Sequence, residues 1–412
     1  MRKTVYVFLI LSFLFLSAYR FPQIAPSQGD GVYGQQSETQ TPEPTPEAYG
    51  PDELPEGVNP LTGLPASNPE DLQYPPAMLS ITNWPITARP QAGLDYSSLV
   101  YEIYIGDGES RFLTIFYGDY PPEEAQAEEG DSTVIEDTHV GPLRSARLPY
   151  GSLRKLYNGF LVMASGFRGV LNNLDSYNNF FGLDSSNINS AMVDVRALKT
   201  IASAYDQKIT PGMLNSNAFD SVPPAGGKPA SDFWFIYNAL DQIHWEYNLS
   251  EKAYYRYQDQ ADGQTFVQAT DRLNGNALTF ENVVLLFASH RYCTPYAFDI
   301  DLSYVKRAPA LLFRDGQAYP IYWTTSNTQY ELTTGKLRPI RFVDANGDPF
   351  PMKPGQTWIH VVPTGTPYWE AVQSDVLFDL LNKKEIGSGN WVSRFYASLM
   401  VYDDAVCTML GR

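Results

Sequence analysis

At 412 residues, with 43% hydrophobic and 14% aromatic content, the chain can bury two substantial cores, since single domains commonly run about 100–200 residues. A formal net charge of −17 makes nucleic acid and anionic lipid poor partners. Two cysteines are too few for a scaffold built on disulfides.

The first twenty residues carry Arg2 and Lys3 and then an apolar or small-residue run from Thr4 to Ala18, the pattern of an export signal. As a helix this run spans only about 22 Å, short of a roughly 30 Å hydrocarbon core, which favours a cleaved signal. Leu16-Ser17-Ala18 is a poor cleavage pattern, and Tyr19 and Phe21 can extend the run to an interface, so an uncleaved signal anchor fits equally. Either way the rest of the chain is expected outside the cytoplasm, membrane-anchored by its N-terminus or secreted, with membrane contact through that segment alone. Loss of residues 1–20 removes Arg2, Lys3 and Arg20 and no acid, taking the charge from −17 to −20.

Residues 21–57 are rich in Pro, Ser, Thr, Gln and Glu around Thr41-Pro-Glu-Pro-Thr-Pro46, without an apolar period, and read as a disordered tether. A first domain, 58–210, alternates short β-branched runs with turns at Ala77–Ile81, Ser98–Ile105 and Phe112–Phe116. Helical spacing over Leu148–Asn158 and Val195–Tyr205, with a buried strand at Phe160–Met163 between them, predicts a mixed α/β layered domain. Glu123–Asp137, with seven acids and no base, reads as a solvated insertion.

From about Phe233 the signal becomes nearly pure strand, at Asp232–Tyr237, Glu281–Phe287 and Thr357–Val362, with turns at Asn274-Gly275 and Asn346-Gly347. This predicts a second, mainly β domain over 228–363, divided from the first by the Pro- and Gly-rich stretch 207–232, with separable cores. Residues 364–412 read as a helix-strand extension. Thr366 and Pro367 open a helix whose apolar face is Trp369, Val372, Val376, Leu377 and Leu380, and a strand-like run follows from Trp391 to Tyr402.

The blocks Asn59-Pro-Leu-Thr-Gly-Leu-Pro65, Ala88-Arg-Pro-Gln-Ala-Gly-Leu94, Tyr101-Glu102, Ser110-Arg111-Phe112 and Gly141-Pro-Leu-Arg-Ser-Ala-Arg147 resemble, in the same order, the N-terminal domain of the YerB-like family. These are bacterial envelope proteins known mainly as a domain of unknown function, and the β-rich second half agrees with the family's C-terminal domain. The resemblance implies a location and a site rather than a reaction. The family includes lipoproteins whose lipid sits on a cysteine just after the apolar run. Here no cysteine precedes Cys293, so lipidation at such a cysteine is not expected. The sequence departs from the family pattern at Thr82, where an acid often precedes the asparagine, and at Pro211-Gly212, where a Pro-His-Asn block is usual.

Arg144 and Arg147 follow a turn at Gly141-Pro142, and a guanidinium binds carboxylate or phosphate bidentately without losing its charge. On one helical turn the two would share a face; in an extended segment they would diverge. Ser145 can add a hydroxyl. Arg89, Gln91 and Arg111 join the candidate site on the resemblance alone. Glu102 ends an apolar run and needs a base beside it if buried and ionised. Paired with an arginine it is structural; beside a second carboxylate it becomes a candidate general acid.

The histidines His139, His244, His290 and His360 lack metal-ligand spacing, and no metal or cofactor is expected. Asp344-Ala-Asn-Gly-Asp348 is a hairpin turn rather than a calcium loop, because Gly precedes the acid and Gly355 stands at position twelve. Cys293 and Cys407 are equally compatible with a bridge and with two separate buried thiols. Three function classes follow. In the first, an arginine-bearing cleft of Arg89, Gln91, Glu102, Arg111, Arg144, Ser145 and Arg147 binds an anionic group of a cell-wall or membrane-linked polymer. The second is a non-catalytic scaffold for a partner envelope protein. The third, ranked behind both, is an enzyme acting on envelope glycan through Glu102, Asp107 and Glu109.

Overall fold

The computed structural model describes residues 48–124, 138–205 and 208–412. The signal segment, most of the tether and most of the acidic insertion lie outside the described residues. The strands expected first all form, as β1 (Ala77–Thr82), β2 (Leu99–Gly106) and β3 (Glu109–Phe116). They are followed by α1 (Pro149–Tyr157), β4 (Phe160–Met163) and α2 (Val195–Ala204). Asp194 caps α2 by accepting from the Arg196 N–H, and Pro149 stands at the first position of α1, where a missing N–H costs nothing.

The second half is mainly strand: β5 (Asp232–Asn238), β6 (Asp241–Asn248), β7 (Ala253–Asp259), β8 (Phe266–Gln268), β9 (Asn282–Ala288), β10 (His290–Thr294), β11 (Ala297–Ile300), β12 (Ala308–Arg314), β13 (Gln317–Thr324) and β14 (Thr357–Pro363). The mixed α/β first half and mainly β second half are thus both present. Their cores are not separate, however. β14 pairs in parallel with β2 on one side and β9 on the other, so one eleven-stranded sheet runs through both halves, and one apolar cluster extends from Leu61 to Leu410. The Pro- and Gly-rich stretch 207–232 carries the chain from one half to the other, but it does not divide two cores.

A seven-stranded sheet, built mainly from β8, β7, β6, β5, β16 (Asn390–Arg394) and β15 (Tyr368–Glu370), packs face to face on the first sheet. Trp245 meets Trp358 with ring centroids 5.4 Å apart, Phe233 stacks on Phe313 at 4.2 Å, and Tyr104 on Phe395 at 4.3 Å. Each such fully buried aromatic contributes roughly 1.5–3 kcal/mol. The opposite face of the first sheet is covered by α1, where the Tyr157 and Tyr101 hydroxyls share a 2.5 Å hydrogen bond.

The C-terminal segment is no appendage. β16 lies parallel to β5 inside the second sheet, and β15 pairs with β16, so the long helix expected from Thr366 shrinks to α3 (Leu377–Asn382). Thr366 turns its hydroxyl to the Pro363 carbonyl instead of capping, and Trp369 donates to the Leu380 carbonyl at 3.0 Å. The apolar spacing serves a strand, a loop and one short helix in succession. Cys293 of β10 and Cys407 of α4 (Asp404–Met409) form a disulfide, which closes the alternative of two thiols.

The tether is also shorter than expected. Tyr49 and Phe219 exchange backbone hydrogen bonds of 3.0 and 2.8 Å and their rings lie 5.9 Å apart, so the chain is already docked from Tyr49. Asn59 closes the next turn by donating to the Tyr117 carbonyl at 2.6 Å. Asp344 accepts from the N–H groups of Asn346, Gly347 and Asp348 through one oxygen, the arrangement of a turn.

Candidate functional site

The residues predicted as one site lie on two faces of one sheet. Successive side chains of a strand alternate, and residues directly opposite on paired strands share a face. Glu102 is opposite Phe112 and His360, whereas Arg111 is opposite Ile103 and Thr82. Glu102 therefore points toward the second sheet and Arg111 toward the α1 side. A spacing of nine residues between them along a hairpin could not reveal this without the register.

Glu102 has no exposed surface and sits in a closed network. Its Oε1 accepts from the Ser110 hydroxyl at 2.6 Å; its Oε2 accepts from Trp358 Nε1 at 2.9 Å and from Arg256 Nη2 at 3.4 Å. Trp245 Nε1 donates to His360 Nε2 at 2.9 Å, which leaves the ring proton on Nδ1, 3.4 Å from the same Oε2. Burial holds His360 down to about 4, so it is a neutral member of the network. Arg256, 2% exposed, lies over Trp358 at 4.6 Å and Phe112 at 5.4 Å. Paired with an arginine and sealed from solvent, Glu102 is structural, and a polymer has no access to it.

Close by is Asp241, also without exposed surface, accepting from Trp84 Nε1 and from Gln258 Nε2 at 3.0 Å each. Burial and the nearby Glu102 charge push its carboxyl up to about 7, against the pull of Arg89. Arg89 donates through Nε to the Asn83 side chain at 3.1 Å and through Nη1 to the Asp259 carbonyl at 2.8 Å. Its guanidinium is pushed down to about 10 by burial despite Asp241. Gln91 is buried and donates to the Thr82 carbonyl at 3.0 Å. Arg89, Gln91 and Glu102 thus belong with Arg256, Asp241 and Trp358, which the sequence reading missed because they arrive from other strands more than 130 residues away.

On the other face Arg111, Arg144 and Arg147 gather around Ser145. Leu143–Ala146 runs extended beside the end of β1, with Arg144 N–H donating to the Ser80 carbonyl and Ala164 N–H to the Arg144 carbonyl. Residues three apart in extended backbone point to different sides. Arg144 accordingly donates to Asn189 at 3.3 Å, and Arg147 to the carbonyls of Ala146 and Ser145 at 3.0 and 3.4 Å. Arg111 donates to the Ser145 carbonyl at 2.7 Å. Ser145 contributes that carbonyl rather than the hydroxyl expected of it.

Among the described residues none of these three guanidinium groups has a carboxylate within ion-pair distance. Glu109 lies in the field of Arg111 and Arg147 without pairing with either, and burial with Asp107 raises its carboxyl. Arg111 is only 7% exposed, and burial together with Arg147 and Arg144 pushes it down to about 9, the electrostatic mark of cations crowded without a counter-charge. Asp107, in the turn between β2 and β3, accepts from the Tyr296 hydroxyl at 2.7 Å. A cavity of about 480 Å³ beside the cluster is lined by Ala146, Arg147, Phe167, Val170, Tyr296 and Arg412, among others.

Two further histidines are held by local contacts. His244 stacks on Trp234 at 3.9 Å and contacts Asp232 at 2.8 Å, and His290 is buried against the Ala288 carbonyl. Among the described residues no group of three or more His, Cys, Asp or Glu side chains is placed to hold a metal ion, and no helix is long and apolar enough to cross a membrane.

Residues 61–207 match the N-terminal domain, and residues 235–359 the C-terminal domain, of the family described as a protein of unknown function, DUF3048. The Bacillus subtilis protein named "Putative lipoprotein YerB" is 26% identical over 324 residues, which covers 74% of this chain and 86% of that protein. The crystal structure of the YerB protein from Bacillus subtilis superimposes with a TM-score of 0.54 at 24% identity, covering 74% of this chain and 96% of that one.

Proposed function

The chain belongs to the DUF3048 family of YerB-like proteins, and from that premise we propose that it works outside the cytoplasm and binds an anionic group of a cell-wall or membrane-linked polymer. The ligand surface is formed by Arg144 and Arg147 over Arg111, opening on the cavity that Arg147 shares with Arg412. Delivery runs through the N-terminal segment, consistent with the lipoprotein name of the relative, though without a cysteine to carry lipid before Cys293.

One observation carries this reading: Arg111 and Arg147 meet at the Ser145 carbonyl with Arg144 within their field, and none of the three is paired with a described carboxylate. Buried charges are normally paired, and a purely structural network in a chain of net charge −17 has acids in abundance to pair with. Guanidinium groups held by carbonyl oxygens keep their remaining N–H donors for an outside oxyanion. The buried Glu102 weighs against glycan cleavage at the residue first considered for it.

Arg144→Ala and Arg147→Ala test this. Each lost charge-assisted hydrogen bond is worth about 1.5–3 kcal/mol, so binding of teichoic acid, anionic glycan fragments or a polyprenyl phosphate should weaken about tenfold to a hundredfold. Stability should change little, because no protein carboxylate is orphaned. If the wild type binds none of these anions and the variants lose several degrees in melting temperature, the scaffold reading replaces this one.

A further inference from the structure

We propose a second binding site, on the opposite face of the first sheet, for the α-carboxylate of a free amino acid or of a peptide end. It is a cavity of about 160 Å³ between the segment around Arg89 and the edge strand β8, lined by Arg89, Gln91, Arg256, Gln258, Gln260 and Gln268, among others. It shares no lining residue with the Arg147 cavity.

Two buried donors at this cavity have no acceptor among the described residues. Arg256 spends Nη1 on Gln258 at 2.5 Å and Nη2 on Glu102 at 3.4 Å, and its Nε–H is left over. Arg89 spends Nε on Asn83 and Nη1 on the Asp259 carbonyl, and Nη2 is left over. Since Arg256 is 2% exposed, its spare N–H is not simply solvated. A buried polar group without a partner is uncommon enough to need a reason, and two on one cavity wall indicate an acceptor from outside.

The charge and size of that acceptor follow. Glu102 already answers Arg256, while among the described residues Arg89 makes no ion pair and feels Asp241 and Asp259 only at longer range, so its guanidinium is the group left to meet a single negative charge. At about 30 Å³ per water, the space equals roughly five waters, the volume of a carboxylate with a few attached atoms. Gln91 and Gln258 are engaged within the protein, whereas the amides of Gln260 and Gln268 remain to meet an ammonium or amide group beside the carboxylate.

Calorimetric titration of the purified protein with alanine, with alanyl-alanine and with the C-terminal amide of each is the test, in both D and L forms. Saturable binding of the carboxylates, at least tenfold weaker for the amides, is expected, and the better of alanine and the dipeptide identifies the source. Arg89→Gln should weaken that binding about tenfold or more. Gln268→Leu, which among the described residues gives up one side-chain bond, a 3.5 Å contact to Tyr257, should weaken it while leaving the melting temperature unchanged. Arg147→Ala should leave it intact, which separates this site from the anionic-polymer surface. No saturable binding of any probe up to about 10 mM, or amides binding as well as acids, overturns the proposal.

Discussion

Glu102→Ala should destabilise the fold by about 3–5 kcal/mol, because it leaves the Arg256 cation buried with Gln258 as its remaining side-chain partner. The Trp358 and Ser110 donors would lose their acceptor at the same stroke. Glu102→Gln keeps the shape and one acceptor oxygen and should cost less. Replacing both charges, as in Glu102→Leu with Arg256→Met, should recover part of the loss, since a buried pair exchanged for apolar side chains of similar volume is often neutral or better. Urea denaturation of the three proteins measures this. A loss below about 1 kcal/mol for Glu102→Ala would mean that Arg256 finds another partner and that the network is not closed as described.

Stability should also depend on pH through Asp241, with a sign opposite to that of an ordinary paired aspartate. Its folded pKa is raised to about 7 from a usual 3.8, so between those values the folded chain holds a proton that the unfolded chain releases. Stability contributed by this group is therefore present at low pH and is lost as pH rises toward 7, by up to about 4 kcal/mol at 1.36 kcal/mol per unit. His290 and His360 act oppositely. Burial holds each down to about 4 from 6.5, and acid destabilises the fold as the unfolded imidazoles take up protons. The wild type should accordingly gain stability from pH 4 to about 6.5 with a slope reduced by Asp241, then level off near 7. In Asp241→Asn the rise should be about twice as steep over the same range. Unfolding free energies of the two proteins across pH 4–8 give the difference directly. A difference that does not vary with pH would show that Asp241 is ionised throughout.

The strands and helices of the first half were legible because their apolar periods are local: Ala77–Thr82, Leu99–Gly106, Pro149–Tyr157 and Val195–Ala204 fall within a residue or two of the expected runs. The tail was misread for the same reason. Trp369, Val372, Val376, Leu377 and Leu380 do recur at helical intervals, but the residues around Trp369 gain more by pairing with β16, a partner that lies more than twenty residues further along the chain. Propensity yields when a sheet edge is available.

The sequence by itself determined the family, the mixed α/β and mainly β halves, and which arginines carry the family's motifs, because each of these is written in contiguous residues. The tertiary structure alone decided that the candidate residues fall into two groups on opposite faces of one sheet. Strand register put Glu102 and Arg111 on opposite faces, and parallel pairing of β14 with β2 brought Trp358 and His360 beside Glu102 from more than 250 residues away. It likewise joined Cys293 to Cys407 and carried one sheet through both halves. Side-chain alternation is a local rule, but which strands lie side by side is set by burial summed over the whole chain, and no window of sequence contains that sum.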